Sequence, residues 1–388
     1  MKRLPQWIAV PLLAFALSRL LIFGAGILGD TMLPTEEGHW VADENSPFLS
    51  MWAKWDSQYY VDIATNGYWF RPGQQSNVAF FPLYPMSMQV LAKIFDGNLI
   101  LTGFFISNLA FFGGLIFFYL LTELELGSDS AKRAVYYLAF FPTSFFFSAV
   151  YTESMFVCLS IATMYFARKH QWGWAAVFGI LTAATRNLGV LMWALVLWEW
   201  LRAQGWVFLA MHKKQTWLNL WNGFKQNWFE IVIISLIPLG MLVYIYFLKV
   251  NFDRPMAFIE VQAAWGRENV GPVEVLKKSI LNLLGGEINK SWLTQFWNVS
   301  FYLFFLALVP FIWFKLGEGY AIFVLIMLFV PSASSVGSII RYLLTQFPAF
   351  MMMAWWGRDD RVDRAFNFTF ATLLAVFVVV FVNWVFVA

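Results

Sequence analysis

The stretch LILTGFFISNLAFFGGLIFFYLLT occupies residues 99–122 and contains no charged side chain. A helix that crosses a bilayer needs about 20 mostly apolar residues, so this stretch predicts a transmembrane helix. The whole chain has the same character, since 60% of its residues are hydrophobic and only 13% are charged. A soluble domain has about 25% charged residues, and so few charges cannot cover a water-exposed surface. The composition therefore predicts an all-α, polytopic integral membrane protein.

Apolar runs recur along the chain and predict eleven transmembrane spans in a single domain of residues 1–388. They are 5–28, 99–122, 134–150, 153–167, 172–185, 187–201, 229–249, 298–314, 319–336, 341–356 and 367–387. The basic N-terminus and the higher density of Lys and Arg in the loops on the same side predict a cytoplasmic N-terminus. The net charge of +3 is too small for a protein whose main partner is nucleic acid.

This topology leaves two long loops outside the cytoplasm, 29–98 and 250–296, and one sizeable loop inside it, 202–228. The segment 51–70 is aromatic and amphipathic, so we expect a helix that lies on the outer membrane surface. The loop 202–228 is basic and rich in Trp. It is typical of a segment that docks on anionic lipid, and equally of a plain cytoplasmic loop.

Charged residues that an apolar chain should avoid gather at the predicted outer face: Asp56, Asp62, Glu153, Arg186 and Arg341. Arginine is a bidentate, permanently charged ligand for phosphate oxygens, so the pattern favours a pocket for a phosphate-bearing lipid. Simpler interpretations remain open. The two arginines are also typical of helix-end anchors that reach the headgroups, and the glutamate is typical of a helix cap.

Other polar residues restrict the chemistry. Arg19 lies in the middle of the first span and needs a partner, for which Glu153 and a lipid phosphate are candidates. Asp56 and Asp62 are six residues apart, so on a helix they point to different faces and make a poor catalytic pair. The three histidines are scattered, and Cys158 is the single cysteine. We therefore expect no metal site and no disulfide within the chain.

Six motifs along the chain resemble those of one known family. They are WDSQYYVDIATNGY (55–68), AFFPLYP (79–85), FFPTSFFFSAVYTESM (140–155), TRNLG (185–189), QAAWGR (262–267) and RYLL with FP (341–344 and 347–348). They are similar, in the same order, to the motifs of the PIG-V family. That family comprises the second mannosyltransferase of GPI-anchor synthesis and its prokaryotic relatives. The chain lacks the longer outer loops of the eukaryotic members, so it resembles a prokaryotic relative most.

The resemblance implies a GT-C glycosyltransferase, a bundle of about eleven transmembrane helices with amphipathic helices in the first outer loop. Such an enzyme takes mannose from a polyprenyl- or dolichyl-phosphate carrier. It transfers the sugar with inversion, outside the cytoplasm, to a glycan or lipid acceptor in the membrane. The implied location is a bacterial or archaeal cell membrane with an outward-facing site, or the ER membrane with a lumenal site in a eukaryote.

The resemblance also implies roles for individual residues. Asp56 is the catalytic base, in the catalytic loop 29–98. The candidates for the donor phosphate are Arg341, Arg186 and Arg267. The candidates for sugar or acceptor contacts are Trp55, Tyr59, Tyr60, Glu153, Gln262 and Trp265, the last two in the substrate-contacting loop 250–296. No cofactor or metal is implied, because arginine can neutralise the leaving lipid phosphate.

Two alternatives to mannose transfer stay open at this point. A GT-C enzyme for another sugar, such as glucose or arabinose, fits the sequence equally well, because no pattern distinguishes epimers of a sugar. A lipid flippase or transporter is a different class, and it predicts charges at several depths along a path through the membrane.

Overall fold

The computed structural model describes residues 4–33, 38–43, 45–206, 208, 211–266 and 270–385. These residues form eighteen α-helices and no strand, which confirms the all-α prediction. The helices are α1 (Gln6–Met32), α2 (Pro47–Met51), α3 (Ser57–Asn66), α4 (Leu83–Leu91), α5 (Leu99–Leu126), α6 (Ser128–Phe140), α7 (Glu153–Arg168), α8 (Trp172–Thr185), α9 (Leu191–Ala203), α10 (Lys214–Ile234), α11 (Leu239–Phe252), α12 (Ala257–Glu260), α13 (Pro272–Gly285), α14 (Lys290–Lys315), α15 (Glu318–Ser332), α16 (Ile339–Leu343), α17 (Phe347–Trp356) and α18 (Asp360–Val382).

Several of these helices are long and apolar enough to cross a bilayer. Among the described residues, α1, α5, α14 and α18 meet this condition as single helices. Helices α10 and α11 meet the same condition only as a pair, which is bent by 45° and is either a broken span or a re-entrant loop. The chain is therefore a multi-pass membrane protein. Helices such as α8 and α15 are apolar but shorter, so the number of eleven spans stays a prediction.

The predicted span 134–150 is wrong in its second half. Helix α6 ends at Phe140, because Pro142 disfavours the helical conformation at the residue before it. Phe141 is accordingly extended, with φ −53° and ψ 142°. Residues 141–152 continue as a non-helical segment with one short 3₁₀ turn, and every one of them is buried. Irregular backbone is tolerated at membrane depth when protein surrounds it, as it does here.

This segment, which we call the 141–152 segment, is held by polar contacts to distant parts of the chain. The backbone N–H of Val150 donates to the carbonyl of Trp52 at 2.9 Å. The hydroxyl of Thr143 donates to the carbonyl of Ile340 at 3.1 Å. The segment thus joins the predicted outer loop 29–98 to α16.

The segment also provides the partner of Arg19. Its guanidinium donates to the Ser148 hydroxyl at 2.6 Å and lies over the Phe111 ring, 4.7 Å from the centroid. Glu153, one of its two predicted partners, instead pairs with other arginines, as described below. The contact with Ser148 explains how a charged side chain is held within α1.

The predicted span 341–356 is also interrupted. The short helix α16 ends at Leu343, and α17 begins at Phe347 with Pro348 in its first turn. Proline is tolerated there because its missing N–H would have no partner in the helix. Arg341 therefore lies inside a short, buried helix and does not open a long span.

The predicted outer loop 29–98 contains an amphipathic helix, α3, within the predicted stretch 51–70. It buries Tyr60, Ile63 and Ala64 on one face and begins directly after Asp56. Helix α10 already begins at Lys214, so the predicted cytoplasmic loop 202–228 is helical in its second half. That half exposes Trp217, among other aromatic side chains.

Candidate active site

A cavity of about 550 Å³ lies where α3, α7, α16 and the end of α8 meet. Nine of the ten site residues predicted from the sequence line it: Trp55, Asp56, Tyr59, Tyr60, Glu153, Arg186, Gln262, Trp265 and Arg341. The tenth, Arg267, lies outside the described residues. The predicted residues come from five separate motifs, so the fold gathers distant parts of the chain around this one cavity.

Four charged side chains form a connected cluster in the cavity. The Arg341 Nη1 atom donates to Asp56 Oδ2 at 2.8 Å, and Arg341 Nε lies 3.5 Å from Glu153 Oε1. Arg186 Nη1 donates to the same Glu153 oxygen at 2.9 Å. The Glu153 side chain is only 1% exposed and that of Arg341 is 6% exposed. Both arginines therefore face carboxylates inside the protein, which argues against their role as headgroup anchors.

The backbone around Asp56 holds this carboxylate towards the cavity. Trp55 adopts a left-handed conformation with φ +52°, which is uncommon for a large residue and concentrates at functional sites. The Tyr151 hydroxyl accepts a hydrogen bond from the Asp56 N–H at 3.1 Å and donates to the Lys54 carbonyl at 3.1 Å. The Asp56 side chain remains 31% exposed, so a ligand can reach it.

Asp62 has a different environment, as its spacing from Asp56 predicts. Its Oδ2 atom accepts hydrogen bonds from the Trp69 indole at 2.6 Å and from the Asn77 amide at 2.9 Å. These contacts tie the end of α3 to the chain that follows it. Asp62 does not line the cavity, so its carboxylate has a structural role.

Aromatic side chains form one wall of the cavity. The Tyr59 ring stacks on Phe80 with centroids 4.7 Å apart, and it meets Trp265 edge to face at 6.0 Å. Burial, followed by the nearby Asp56 and Asp62 carboxylates, raises the pKa of Tyr59 above its ordinary value. Its hydroxyl is therefore protonated at neutral pH and donates to Gln75 at 3.0 Å. Flat aromatic faces with a polar edge suit the binding of a sugar ring.

Several lining residues were not predicted from the sequence. Gln58, Gln75 and Asn187 add amides to the cavity, and Tyr342 places its ring 5.1 Å from the Arg186 guanidinium. Tyr342 directly follows Arg341 in the sequence, and Asn187 directly follows Arg186. Their position next to a predicted arginine could have identified them. Gln75 belongs to none of the six motifs, and only the fold brings it to Tyr59.

Two buried atoms of the charge cluster have unused hydrogen-bonding capacity. Among the described residues, neither Arg341 Nε nor Glu153 Oε2 has a hydrogen-bond partner. Buried polar atoms in native proteins are almost always paired, so such orphans indicate a place that a ligand or water completes. The described part of the chain brings together no group of three or more metal-ligating side chains. Metal independence itself stays a prediction.

We expect Glu153→Gln to lower the thermal stability of the purified protein clearly. The change removes the buried negative charge between Arg186 and Arg341, and breaking a buried ion pair costs about 3–5 kcal/mol. The measurement is the unfolding temperature in detergent. Glu260→Gln is the control, because its contact with Arg254 is exposed and 4.0 Å long. Equal unfolding temperatures for the two variants would contradict a stabilising role for the cluster.

The fold is similar to a solved structure of ArnT from Cupriavidus metallidurans bound to undecaprenyl phosphate. The TM-score is 0.52 at 13% sequence identity, and the match covers 90% of this chain and 60% of ArnT. The chain thus has the architecture of a GT-C membrane glycosyltransferase. The sequence makes the assignment more specific. The model of the family "Mannosyltransferase (PIG-V)" matches residues 27–310, and the chain belongs to this family.

Two curated relatives are both named GPI mannosyltransferase 2. The one from Drosophila pseudoobscura pseudoobscura is 28% identical over 152 residues, which cover 34% of this chain and 32% of the relative. The one from Schizosaccharomyces pombe is 31% identical over 147 residues, which cover 36% of this chain and 30% of the relative. The matched part therefore spans about a third of the length of these relatives.

Proposed function

We propose that this protein is an inverting mannosyltransferase that acts outside the cytoplasm. It takes mannose from a polyprenyl- or dolichyl-phosphate carrier and transfers it to a glycan or lipid acceptor in the membrane. The observation that carries this proposal is the pairing of Asp56 with Arg341 inside an aromatic cavity, across 285 residues of chain. A carboxylate beside an arginine provides a base for the acceptor and a cation for the leaving phosphate in one place.

The proposed reaction is a single displacement at the anomeric carbon of the sugar. The acceptor hydroxyl oxygen attacks this carbon from one side, and its proton passes to the Asp56 carboxylate. The bond between the anomeric carbon and the phosphate oxygen breaks on the other side, and the lipid phosphate leaves with the electron pair. One attack of this kind inverts the configuration, and it needs one base.

In this proposal, the charge cluster binds the lipid phosphate and neutralises its charge. Asp56, Glu153, Arg186 and Arg341 sum to zero charge, so each arginine is held ionised and in place before the donor arrives. Arg341 lines the cavity, and we assign its guanidinium to the phosphate oxygens of the donor. When the phosphate binds the Arg341 guanidinium, the hydrogen bond between this guanidinium and Asp56 weakens. The Asp56 carboxylate can then accept a proton.

The decisive experiment supplies the purified protein with radiolabelled polyprenyl-phosphate sugars and a membrane lipid extract. We expect label from the mannose donor to appear in a lipid or glycan product, also in the presence of EDTA. Donors that carry glucose or arabinose, in parallel reactions, test the other GT-C sugars. A labelled product from one of these alone would replace mannose, and no product from any donor would overturn the proposal.

The transporter alternative has less support from the described residues. Among the other buried arginines that the structure describes, Arg168 is paired with Glu125 and Glu199, and Arg19 donates a hydrogen bond to the neutral Ser148 hydroxyl. The cavity beside Arg168 measures only about 10 Å³, which is too small for a lipid headgroup. Transport of a labelled donor across vesicles without any labelled product would favour this alternative.

Sidedness is tested by cysteine labelling in intact cells. We expect an Asn45→Cys variant to react with an impermeant thiol reagent from outside, because Asn45 is exposed in the first outer loop. A Gln215→Cys variant, exposed in α10 on the predicted cytoplasmic side, should react only after lysis. Both are made in a Cys158→Ala background. The reverse pattern would place the cavity in the cytoplasm and remove the lipid-phosphate donor from consideration.

A further inference from the structure

A tryptophan that follows the last helix contacts the residues next to the proposed base. Trp384 comes after α18, and its ring lies 5.4 Å from the ring of Trp55, which directly precedes Asp56. The two ring planes are inclined by 61°, which is an edge-to-face arrangement. Trp384 belongs to none of the six motifs and lies beyond residue 310, where the family match ends. The family assignment therefore does not explain this contact.

Two further side chains pack on the Trp384 ring. The His39 ring stacks on it with centroids 4.3 Å apart and planes only 10° from parallel. The Lys54 ammonium lies over it, with Nζ 4.8 Å from the centroid, where a cation is attracted by the negative face of the ring. Trp384 thus contacts the side chains of both residues that precede Asp56, which are Lys54 and Trp55.

The turn that contains Trp384 is tied to the rest of the protein. The side-chain amide of Asn383 donates to the carbonyl of Gly29 in α1 at 3.1 Å. The backbone N–H of Trp384 donates to the carbonyl of Phe381, also at 3.1 Å. Trp384 has a left-handed backbone with φ +61°, which a large residue adopts where surrounding contacts require it. These contacts hold the ring in a defined place.

The backbone before Asp56 is held from two directions. The Tyr151 hydroxyl links the Lys54 carbonyl to the Asp56 N–H, with both hydrogen bonds 3.1 Å long. Trp384 contacts the side chains of Lys54 and Trp55. Trp55 lies between these contacts and has a φ of +52°. A conformation of this kind persists only when its surroundings determine it, so both sets of contacts define the direction of the Asp56 side chain.

We propose that Trp384 is a positioning residue that keeps the Asp56 carboxylate in place beside Arg341. The inference rests on the proposed function, because it takes Asp56 as the base. Without the Trp384 ring, the backbone at Trp55 relaxes and the carboxylate moves away from the guanidinium, which it now meets at 2.8 Å. Trp384 does not line the cavity that contains Asp56, so the loss falls on proton transfer and not on donor binding.

The first test separates kcat from KM. We expect Trp384→Ala to lower the kcat of sugar transfer by about ten- to a hundredfold, since a displacement of about 1 Å has an effect of this size. The KM for the donor should stay within about twofold. Trp384→Phe keeps an aromatic face and should retain most of the rate. Trp206→Ala is the matched control, because Trp206 is also 8% exposed, meets Trp217 edge to face at the same 5.4 Å and does not line the cavity.

The second test requires no sugar transfer. Asp56→Cys in a Cys158→Ala background leaves one thiol in the chain, next to Arg341. A neighbouring guanidinium favours the thiolate, which is the form that reacts with iodoacetamide. We expect Trp384→Ala to move the midpoint of the alkylation rate against pH upwards by roughly one pH unit, because the thiol leaves Arg341. Trp206→Ala in the same background should not move it.

An unchanged kcat in Trp384→Ala, or the same alkylation midpoint with and without the Trp384 ring, would overturn the inference. A raised donor KM at unchanged kcat would make Trp384 a donor contact and overturn it as well. If Trp384→Ala does not fold, Trp384→Leu replaces it in both tests, because leucine keeps apolar bulk but has no flat face. Absence of transfer by the unaltered chain from every donor would contradict the proposed function, while the alkylation midpoint would still decide this inference.

Discussion

Asp56→Asn should reduce sugar transfer by about 10²–10⁴-fold, which is the usual contribution of a general base. The substitution keeps the size of the side chain and its contact with Arg341, and it removes the proton acceptor. Folding should survive, because the position is partly exposed and the Tyr151 hydroxyl contacts only the backbone of this residue. The measurement is the initial rate of transfer from a labelled donor, together with the affinity for that donor, which should change far less.

Asp62→Asn is the matched control for this substitution. It lies in α3, which begins directly after Asp56, and has the same chemistry, but its carboxylate binds Trp69 and Asn77 outside the cavity. An asparagine oxygen can still accept the hydrogen bond of the Trp69 indole. We therefore expect a mild effect on the rate. Normal turnover of Asp56→Asn, or loss of turnover in Asp62→Asn alone, would show that the base is assigned to the wrong residue.

Arg341→Lys should lower kcat/KM for the donor by about ten- to a hundredfold, and Arg341→Ala should lower it further. Lysine keeps the charge but loses the planar fork that donates to Asp56 and that we propose also binds the donor phosphate. Hydrogen bonds to charged groups are worth about 1.5–3 kcal/mol, which gives the expected range. The alanine variant also leaves the Asp56 and Glu153 carboxylates without their cation, so its unfolding temperature must be measured alongside.

The effect of Arg341→Lys on KM separates two roles of this residue. Loss of a phosphate ligand raises the KM for the donor, whereas loss of a group that only orients Asp56 lowers kcat and changes the pH profile. Arg71→Lys is the control, because Arg71 is exposed in the predicted outer loop 29–98 and does not line the cavity. Normal transfer by both Arg341 variants would leave the residue with a structural role only.

The long helices were predictable because hydropathy reports composition, and α1 and α5 each contain a long, mostly apolar window. The interruptions of the predicted spans 134–150 and 341–356 were missed for the same reason. Hydropathy does not distinguish a helix from a buried irregular segment, and residues 141–152 and 341–356 are apolar in either conformation. Pro142 and Pro348 were the signals present in the sequence, since proline restricts the residue before it.

The residues of the site were predictable where a motif contains them, as with Asp56 and Arg186. The contacts between these residues were not predictable. Asp56 and Arg341 are 285 positions apart, and no local sequence pattern relates residues at that distance. The neutral charge cluster is therefore a property of the fold. The same holds for Gln75, which reaches Tyr59 only through the turn of the outer loop.

The buried 141–152 segment has a consequence for the order in which the protein is assembled during synthesis. Its aromatic cover comes from late parts of the chain, since Phe141 packs on Phe350 and Phe145 on Phe381. Ile340, which accepts the hydrogen bond of Thr143, follows it by 197 residues. At about 5–20 residues per second, a ribosome needs roughly 10–40 s to make this stretch. During that interval the segment needs shelter from lipid by the translocation machinery or a chaperone, and the packing around it is completed last.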